Sequence, residues 1–301
     1  MIVTLTGATG FIGRKLVPAL KEKGHIVRIL AREPERAKAA LNPNGAWAWD
    51  ALAGPPPLDA LAGADAVIHL AGESLADGRW TAKRKAALRA SRIDATRNLV
   101  RALKDASPRP KTLISASAIG YYGDRPDGSL DENTAPGAGF LADLCREWEV
   151  AAQNAEPLGM RVVYLRTGVV IGKGGGALGK MTLPFKMGVG GKLGSGRQWM
   201  SWIHVDDEVG LILHALENES IRGPVNATAP SPATNAEFTA ALGKALHRPA
   251  ILPAPGFALK LALGEMADML LTGQRVMPIQ AEKTGYAFRY RKIADALAAS
   301  V

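Results

Sequence analysis

The 301-residue sequence predicts an α/β protein, a doubly wound parallel sheet with a smaller, mostly helical region on its substrate side. Three observations predict it. The chain opens on a strand, a glycine turn and a helix. Strands and helices then alternate as far as Gly172. Beyond Gly172 the texture changes to glycine stretches, proline breaks and helical segments.

Ile2 to Thr6 is a short β-branched run, read as a buried strand. It runs into Gly7-Ala8-Thr9-Gly10-Phe11-Ile12-Gly13, and helical periodicity follows from Arg14. Strand, glycine turn and helix together make a Rossmann-like dinucleotide-binding start. Gly7 allows the tight turn, Gly10 lets backbone amides approach a pyrophosphate, and Gly13 lets the helix pack on the strand. Thr9, Phe11 and Ile12 share that turn and are expected cofactor contacts.

Ile26 to Ala31 is a second strand ending at Arg32, with Arg36 further on. An acid at this strand end would select the ribose hydroxyl of NAD, whereas a guanidinium suits a 2′-phosphate, so NADP(H) is the expected cofactor. Trp47 to Asp50 is a short third strand, and Ala66 to Gly72 a fourth that ends in a small-residue turn. Leu70, Ala71, Gly72 and Glu73 at that turn are expected beside the cofactor, with His69 as a core residue.

Trp80 to Leu103 is a long helical stretch, and Lys111 to Ser117 a fifth strand. Ser115 is expected at the cofactor, and Ser117 with Tyr121 or Tyr122 at the reacting group. Asp124 to Gly139 reads as loop. Phe140 to Ala155 is a helix with Leu141, Leu144, Cys145, Trp148 and Ala152 on its apolar face. Arg161 to Arg166 is a sixth strand, placing Arg166 and Gly168 at its cofactor end.

Residues 173–202 read as a flexible, glycine-rich insert. Arg197, Gln198, Trp199, Trp202 and His204 follow its glycines, as a substrate lid would. An Asp cap starts the next helix at Val205-Asp206-Asp207, and Pro224 to Ala227 is a strand returning to the sheet. The expected division is a nucleotide-binding domain over 1–228 and a mostly helical substrate-side region over 229–301.

Apolar residues make up 47% and charged residues 22% of the chain, as in a soluble globular protein. A single cysteine, Cys145, excludes an internal disulfide and a cysteine-built metal cage, so no metal is expected and a cytoplasmic setting is. No apolar run reaches membrane-spanning length. The net charge of +9 is spread along the chain rather than gathered beside exposed aromatics, which favours anionic small molecules over nucleic acid.

In combination these segments resemble the extended short-chain dehydrogenase/reductase superfamily, most closely an atypical, epimerase-like branch of bacterial and mitochondrial proteins related to the NAD-dependent epimerases and dehydratases. Thr6 to Gly13, Leu70 to Glu73, Gly78 to Thr81, Ser91 to Ile93, Ser115 to Gly123, Trp148-Glu149, Gly194 to Asp207 and Gly273 to Pro278 carry the resemblance. It implies an NADP-binding Rossmann-like domain and a family-specific C-terminal region from about Arg248. In the superfamily a Tyr and a Lys one helical turn apart perform the proton chemistry. On the Phe140 helix those positions are Leu141 and Cys145, or Phe140 and Leu144 one register earlier. Ser117 matches the superfamily serine, and Arg92 stands where Asn is usual. The resulting expectation is an NADP(H)-dependent oxidoreductase acting on a small polar substrate, with Ser117, Tyr121, Tyr122 and Arg92 as its catalytic set. A non-catalytic NADPH sensor and a sugar-nucleotide epimerase with a non-standard base are the alternatives.

Overall fold

In the computed structural model, which describes all 301 residues, β1 (Ile2–Thr6) leads through the glycine turn into α1 (Phe11–Glu22). β2 (Ile26–Ala31), α2 (Pro34–Leu41), β3 (Gly45–Ala48) and β4 (Ala66–His69) follow. A continuous helical run comprises α3 (Ala82–Arg89), a π-helical turn (Ala90–Asp94) and α4 (Ala95–Asp105). β5 (Thr112–Ala118), β6 (Arg125–Leu130), α5 (Phe140–Gln153) and β7 (Arg161–Thr167) come next. Then come β8 (Val169–Ile171), α6 (Gly176–Lys186), β9 (Trp199–Met200), β10 (Trp202–His204), α7 (Val205–Glu217) and β11 (Gly223–Ala227). The chain ends with β12 (Ala233–Thr234), α8 (Asn235–Leu246), α9 (Gly256–Leu263), α10 (Asp268–Leu271), β13 (Gln274–Val276), α11 (Ile279–Lys283) and α12 (Ile293–Ser300).

Seven strands form one all-parallel sheet in the order β11-β7-β5-β4-β1-β2-β3. Chain direction across the sheet reverses between β1 and β4, and the carboxyl ends of these two strands open a crevice there. The inner strands are buried on both faces, which explains their continuous β-branched runs. On one face Leu16, Val17 and Leu20 of α1 pack with Leu211 and Ile212 of α7. On the other, Leu99 and Leu103 of α4 pack with Ala152 of α5. Each such aliphatic side chain contributes roughly 1.5–3 kcal/mol.

Four local expectations are corrected. β3 runs over Gly45–Ala48 rather than Trp47 to Asp50, because pairing with β2 sets its frame; Trp49 turns inward and its indole donates to Gly54 O at 2.8 Å. The glycine-rich insert contains a true helix, α6, which buries Leu178 and Phe185; that burial outweighs the helix cost of its glycines, about 1 kcal/mol each. The stretch read as loop contains β6, whose partner β13 lies far along the chain and leaves no local signal. The cap of α7 is His204, whose Nδ1 accepts from the Asp206 amide at 3.2 Å.

Asp207 has another task, accepting from the Arg289 and Tyr290 amides and the Tyr286 hydroxyl at 2.8, 2.9 and 3.1 Å. The last sheet strand ends at Ala227, yet Ala281 and Phe288 return to the α1/α7 face of the core. No helix is long and apolar enough to cross a membrane.

Candidate functional site

The glycine turn sits at the crevice. Gly7 has φ +72°, and a Cβ there would lie 2.7 Å from the Leu70 carbonyl carbon. At Gly13 a Cβ would lie 2.4 Å from Gly7 O, so only glycine lets α1 approach the turn this closely. The amides of Phe11, Ile12 and Gly13 have no backbone carbonyl partner, and the first turn of α1 holds no acid and no capping side chain. Such a start presents amide hydrogens and positive dipole to an anion. Thr9, Phe11, Arg14, Lys15, Lys173 and Gly174 line a cleft of about 330 Å³ beside it, with no carboxylate among them. Phe11 is held by Gly175, where a Cβ would meet its ring at 2.5 Å. Arg32 is exposed at the end of β2 and makes no ion pair or side-chain hydrogen bond, which leaves its guanidinium free.

The β4 turn is braced from below. The Ala71 amide donates to Thr6 Oγ1 at 3.2 Å and the Glu73 amide to Ser91 Oγ at 3.3 Å. Arg92 lies on the π-helical turn, an irregularity frequent at functional sites. It is buried under Gly72, donates to Glu73 O at 2.8 Å and stacks on Trp148. Through that bond the guanidinium holds the turn from inside the protein, and burial lowers its pKa. His69 is a core residue between Thr6 Oγ1 (2.7 Å) and Thr96 Oγ1 (3.2 Å), and burial lowers its pKa to about 4.

Leu141 and Cys145 face the turn after β5. A Cβ on Gly120 would lie 3.2 Å from Leu141 Cβ and 3.5 Å from Cys145 Sγ. This fixes the register of α5: the side chains aimed at the turn are a leucine and a thiol. Burial pushes the Cys145 thiol up to about 12, the signature of a packing cysteine rather than a nucleophile.

One turn further along the same face stands Glu149. Ser117 Oγ donates to its Oε1 at 2.6 Å, and Arg166 clamps both carboxylate oxygens at 2.8 and 2.9 Å. Arg166 also donates to the Tyr122 hydroxyl at 2.9 Å, which donates to Asn226 Oδ1 at 2.6 Å. Burial opposes the Arg166 charge, but Glu149 outweighs it and the pKa is raised.

Several expected site residues are therefore corrected. Arg166 is spent on Glu149 and Tyr122 rather than free for a cofactor. Tyr122 is fully buried, its hydroxyl is occupied on both sides, and burial pushes its pKa up to about 12, so the structure removes it as a direct acid. Tyr121 is half-buried, with the Arg166 guanidinium 3.5 Å from its ring centre. Ser115 is buried and bonds locally to Ala116 O. Gly168 is packed against Ser201 O, where a Cβ would come within 2.5 Å.

The expected lid divides as well. Trp202 is buried with its indole donating to Ser231 O at 3.0 Å, and His204 caps α7 and stacks on Tyr290 at 4.0 Å. Burial lowers the His204 pKa. Gln198 Nε2 donates to Leu193 O (3.0 Å) and Leu270 O (2.8 Å), Trp199 pairs in β9, and Arg197 alone of the five is exposed. Glu149 was missed, although its spacing of four from Cys145 and eight from Leu141 places all three on one helix face.

Residues 3–227 match the NAD dependent epimerase/dehydratase family and residues 254–300 a domain of unknown function, DUF1731. The chain is 44% identical over 302 residues to the Epimerase family protein SDR39U1 homolog, chloroplastic, of Arabidopsis thaliana, covering 99% of this chain and 86% of that one. It is 38% identical over 301 residues to Epimerase family protein SDR39U1 of Homo sapiens, covering 99% and 98%. The crystal structure of the human protein (isoform2) with NADPH superposes with a TM-score of 0.88 at 36% identity, covering 99% of this chain and 98% of that one. UDP-glucuronic acid 4-epimerase from Bacillus cereus, in complex with NAD, has a TM-score of 0.79 at 20% identity over 100% of this chain and 95% of its own, a likeness of fold alone.

Proposed function

This chain belongs to the NAD dependent epimerase/dehydratase family, and within it we propose an NADP(H)-dependent oxidoreductase that moves hydride to or from a small molecule. The observation that carries the reading is the start of α1, with three unpaired amides, no acid, and free Arg32 at the neighbouring strand end. The Phe11, Ile12 and Gly13 amides would hold the diphosphate and Arg32 the 2′-phosphate. Bound there, the nicotinamide supplies the hydride chemistry. The chain supplies orientation: Arg92 steadies the Gly72–Glu73 turn, Glu149 orients Ser117, and Leu141 with Cys145 wall the β5 turn against water. The NADPH complex of the human relative supports the cofactor. A cytoplasmic setting is part of the same proposal.

One observation favours a second reading. With Leu141 and Cys145 facing Gly120, no Tyr–Lys acid–base pair stands on α5, which suits an NADPH-binding sensor without turnover. The same absence weighs against a sugar-nucleotide epimerase. The test uses NADPH deuterated at each C4 face in turn, incubated with the protein and a cell metabolite extract. Deuterium found by mass spectrometry in a small molecule, and lost in a Gly10→Asp variant, supports hydride transfer. Tight NADPH binding with no label moved from either face favours the sensor.

A further inference from the structure

The cleft beside the glycine turn holds three cations, and each stands differently. Arg14 Nε donates to Thr9 O at 2.8 Å, so this guanidinium braces the turn. Lys15 lies 3.9 Å from Asp206, a carboxylate that Arg289 also approaches, at 3.6 Å. Lys173 is exposed and makes no ion pair or side-chain hydrogen bond. Of the three, it alone comes from outside the turn and α1.

Glycines bring Lys173 there. It follows β8, and the residues around it are pressed onto Phe11, the first residue of α1. A Cβ on Gly172, Gly175 or Gly176 would come within 3.2, 2.5 and 2.8 Å of the Phe11 ring. Helix α6 then starts at Gly176 with a glycine cap and no acid in its first turn, so it adds positive dipole rather than charge balance. One turn on, Lys180 donates to Ala76 O at 2.8 Å and pairs with Asp77 at 2.6 Å. Phe11 follows β1 and Asp77 follows β4, so the start of α6 touches the segments on both sides of the crevice.

We infer that Lys173 is a further ligand of the cofactor diphosphate, and that its pairing there steadies the start of α6 over the crevice. The inference rests on the NADP(H) reading above, in which the Phe11, Ile12 and Gly13 amides hold the same group. Those amides offer hydrogen bonds but no full charge, whereas a diphosphate carries two negative charges. An ammonium on a flexible stem supplies the missing charge and can follow the phosphate as it settles. The Lys180–Asp77 pair has both side chains 62% exposed and holds α6 only weakly by itself, which leaves room for the cofactor to add to it.

The test compares the full chain with Lys173→Ala and Lys173→Arg. NADPH and NADH binding are read by nicotinamide fluorescence, and amide hydrogen exchange by mass spectrometry. Lys173→Ala is expected to lower both affinities roughly tenfold, because both cofactors carry the diphosphate and a charge-assisted bond to it is lost. Lys173→Arg should keep most of the affinity. Exchange over residues 173–180 is expected to slow on NADPH binding in the unaltered chain and to stay fast in Lys173→Ala. Unchanged affinities in Lys173→Ala, a loss confined to NADPH, an equal loss in Lys173→Arg, or exchange over 173–180 that NADPH leaves untouched would each overturn the inference. Absence of NADPH binding in the unaltered chain would instead sink the cofactor reading.

Discussion

Ser117 Oγ donates to Glu149 Oε1 at 2.6 Å, so the single hydroxyl proton of Ser117 points into the protein. Only its lone pairs remain for a ligand, which makes Ser117 an acceptor. For Ser117 to donate to a ligand instead, this bond would first have to break. Glu149 is in turn fixed by two bonds from Arg166, with side chains 11% and 4% exposed.

The Glu149–Arg166 pair is deeply buried, so removing one partner strands a charge. Glu149→Gln is expected to cost about 3–5 kcal/mol of stability, read as a lower urea midpoint. Replacing both residues by methionine should restore part of that loss, because no charge is left unpaired even though the Ser117 hydroxyl loses its acceptor. Equal losses in the single and double variants would show that the network contributes packing rather than charge balance.

Arg32 is the expected discriminator between NADPH and NADH. Because it is exposed and makes no ion pair or side-chain hydrogen bond within the protein, Arg32→Ala should leave the thermal midpoint nearly unchanged. NADPH affinity should fall roughly tenfold or more while NADH affinity stays within about threefold, since a charge-assisted bond to phosphate is lost. Parallel loss of both cofactors would refute the assignment.

Glu208 is fully buried, with Thr167 Oγ1 donating to its Oε1 at 2.8 Å and its Oε2 unpartnered. Burial raises its pKa from 4.5 to about 8. Between those values the folded protein keeps a proton that the unfolded chain has released. Its contribution to stability therefore falls as pH rises through that window and levels off above it. Glu208→Gln is expected to remove this slope in urea unfolding measured from pH 5 to 9. An unchanged slope in the variant would mean that Glu208 is ionised in the fold.

Cys145 is 3% exposed and its thiol is pushed up to about 12 by burial. Iodoacetamide at pH 8 should therefore modify the native chain at least about a hundredfold more slowly than the chain in denaturant. Rapid alkylation of native protein would reopen a catalytic role for the thiol.

The nucleotide half was legible because its signals are local. A β-branched run, glycines at fixed spacing and a helical period occupy consecutive residues, and Arg32 closes the next strand. That neither register on α5 carries a tyrosine or a lysine was also legible, and the structure picks the one in which Leu141 and Cys145 face Gly120. Tyr121 and Tyr122 were indistinguishable in sequence, being adjacent and chemically alike. One is half-buried and the other sealed, because only Tyr122 meets Asn226.

The sequence by itself determined the parallel sheet, the glycine turn of α1, a guanidinium at the end of β2 and the absence of a tyrosine and a lysine from α5. Tertiary structure alone decided which charges are spent. Arg166 and Ser117 both meet Glu149, 17 and 32 positions away, while Asn226 lies 104 positions from Tyr122. It also decided that β6 pairs with β13 and that the 74–80 loop meets both α6 and α9. A side chain's freedom to act depends on whether its hydrogen-bonding capacity is already satisfied. Long-range contacts settle that, and they leave no period or motif in the sequence around either partner.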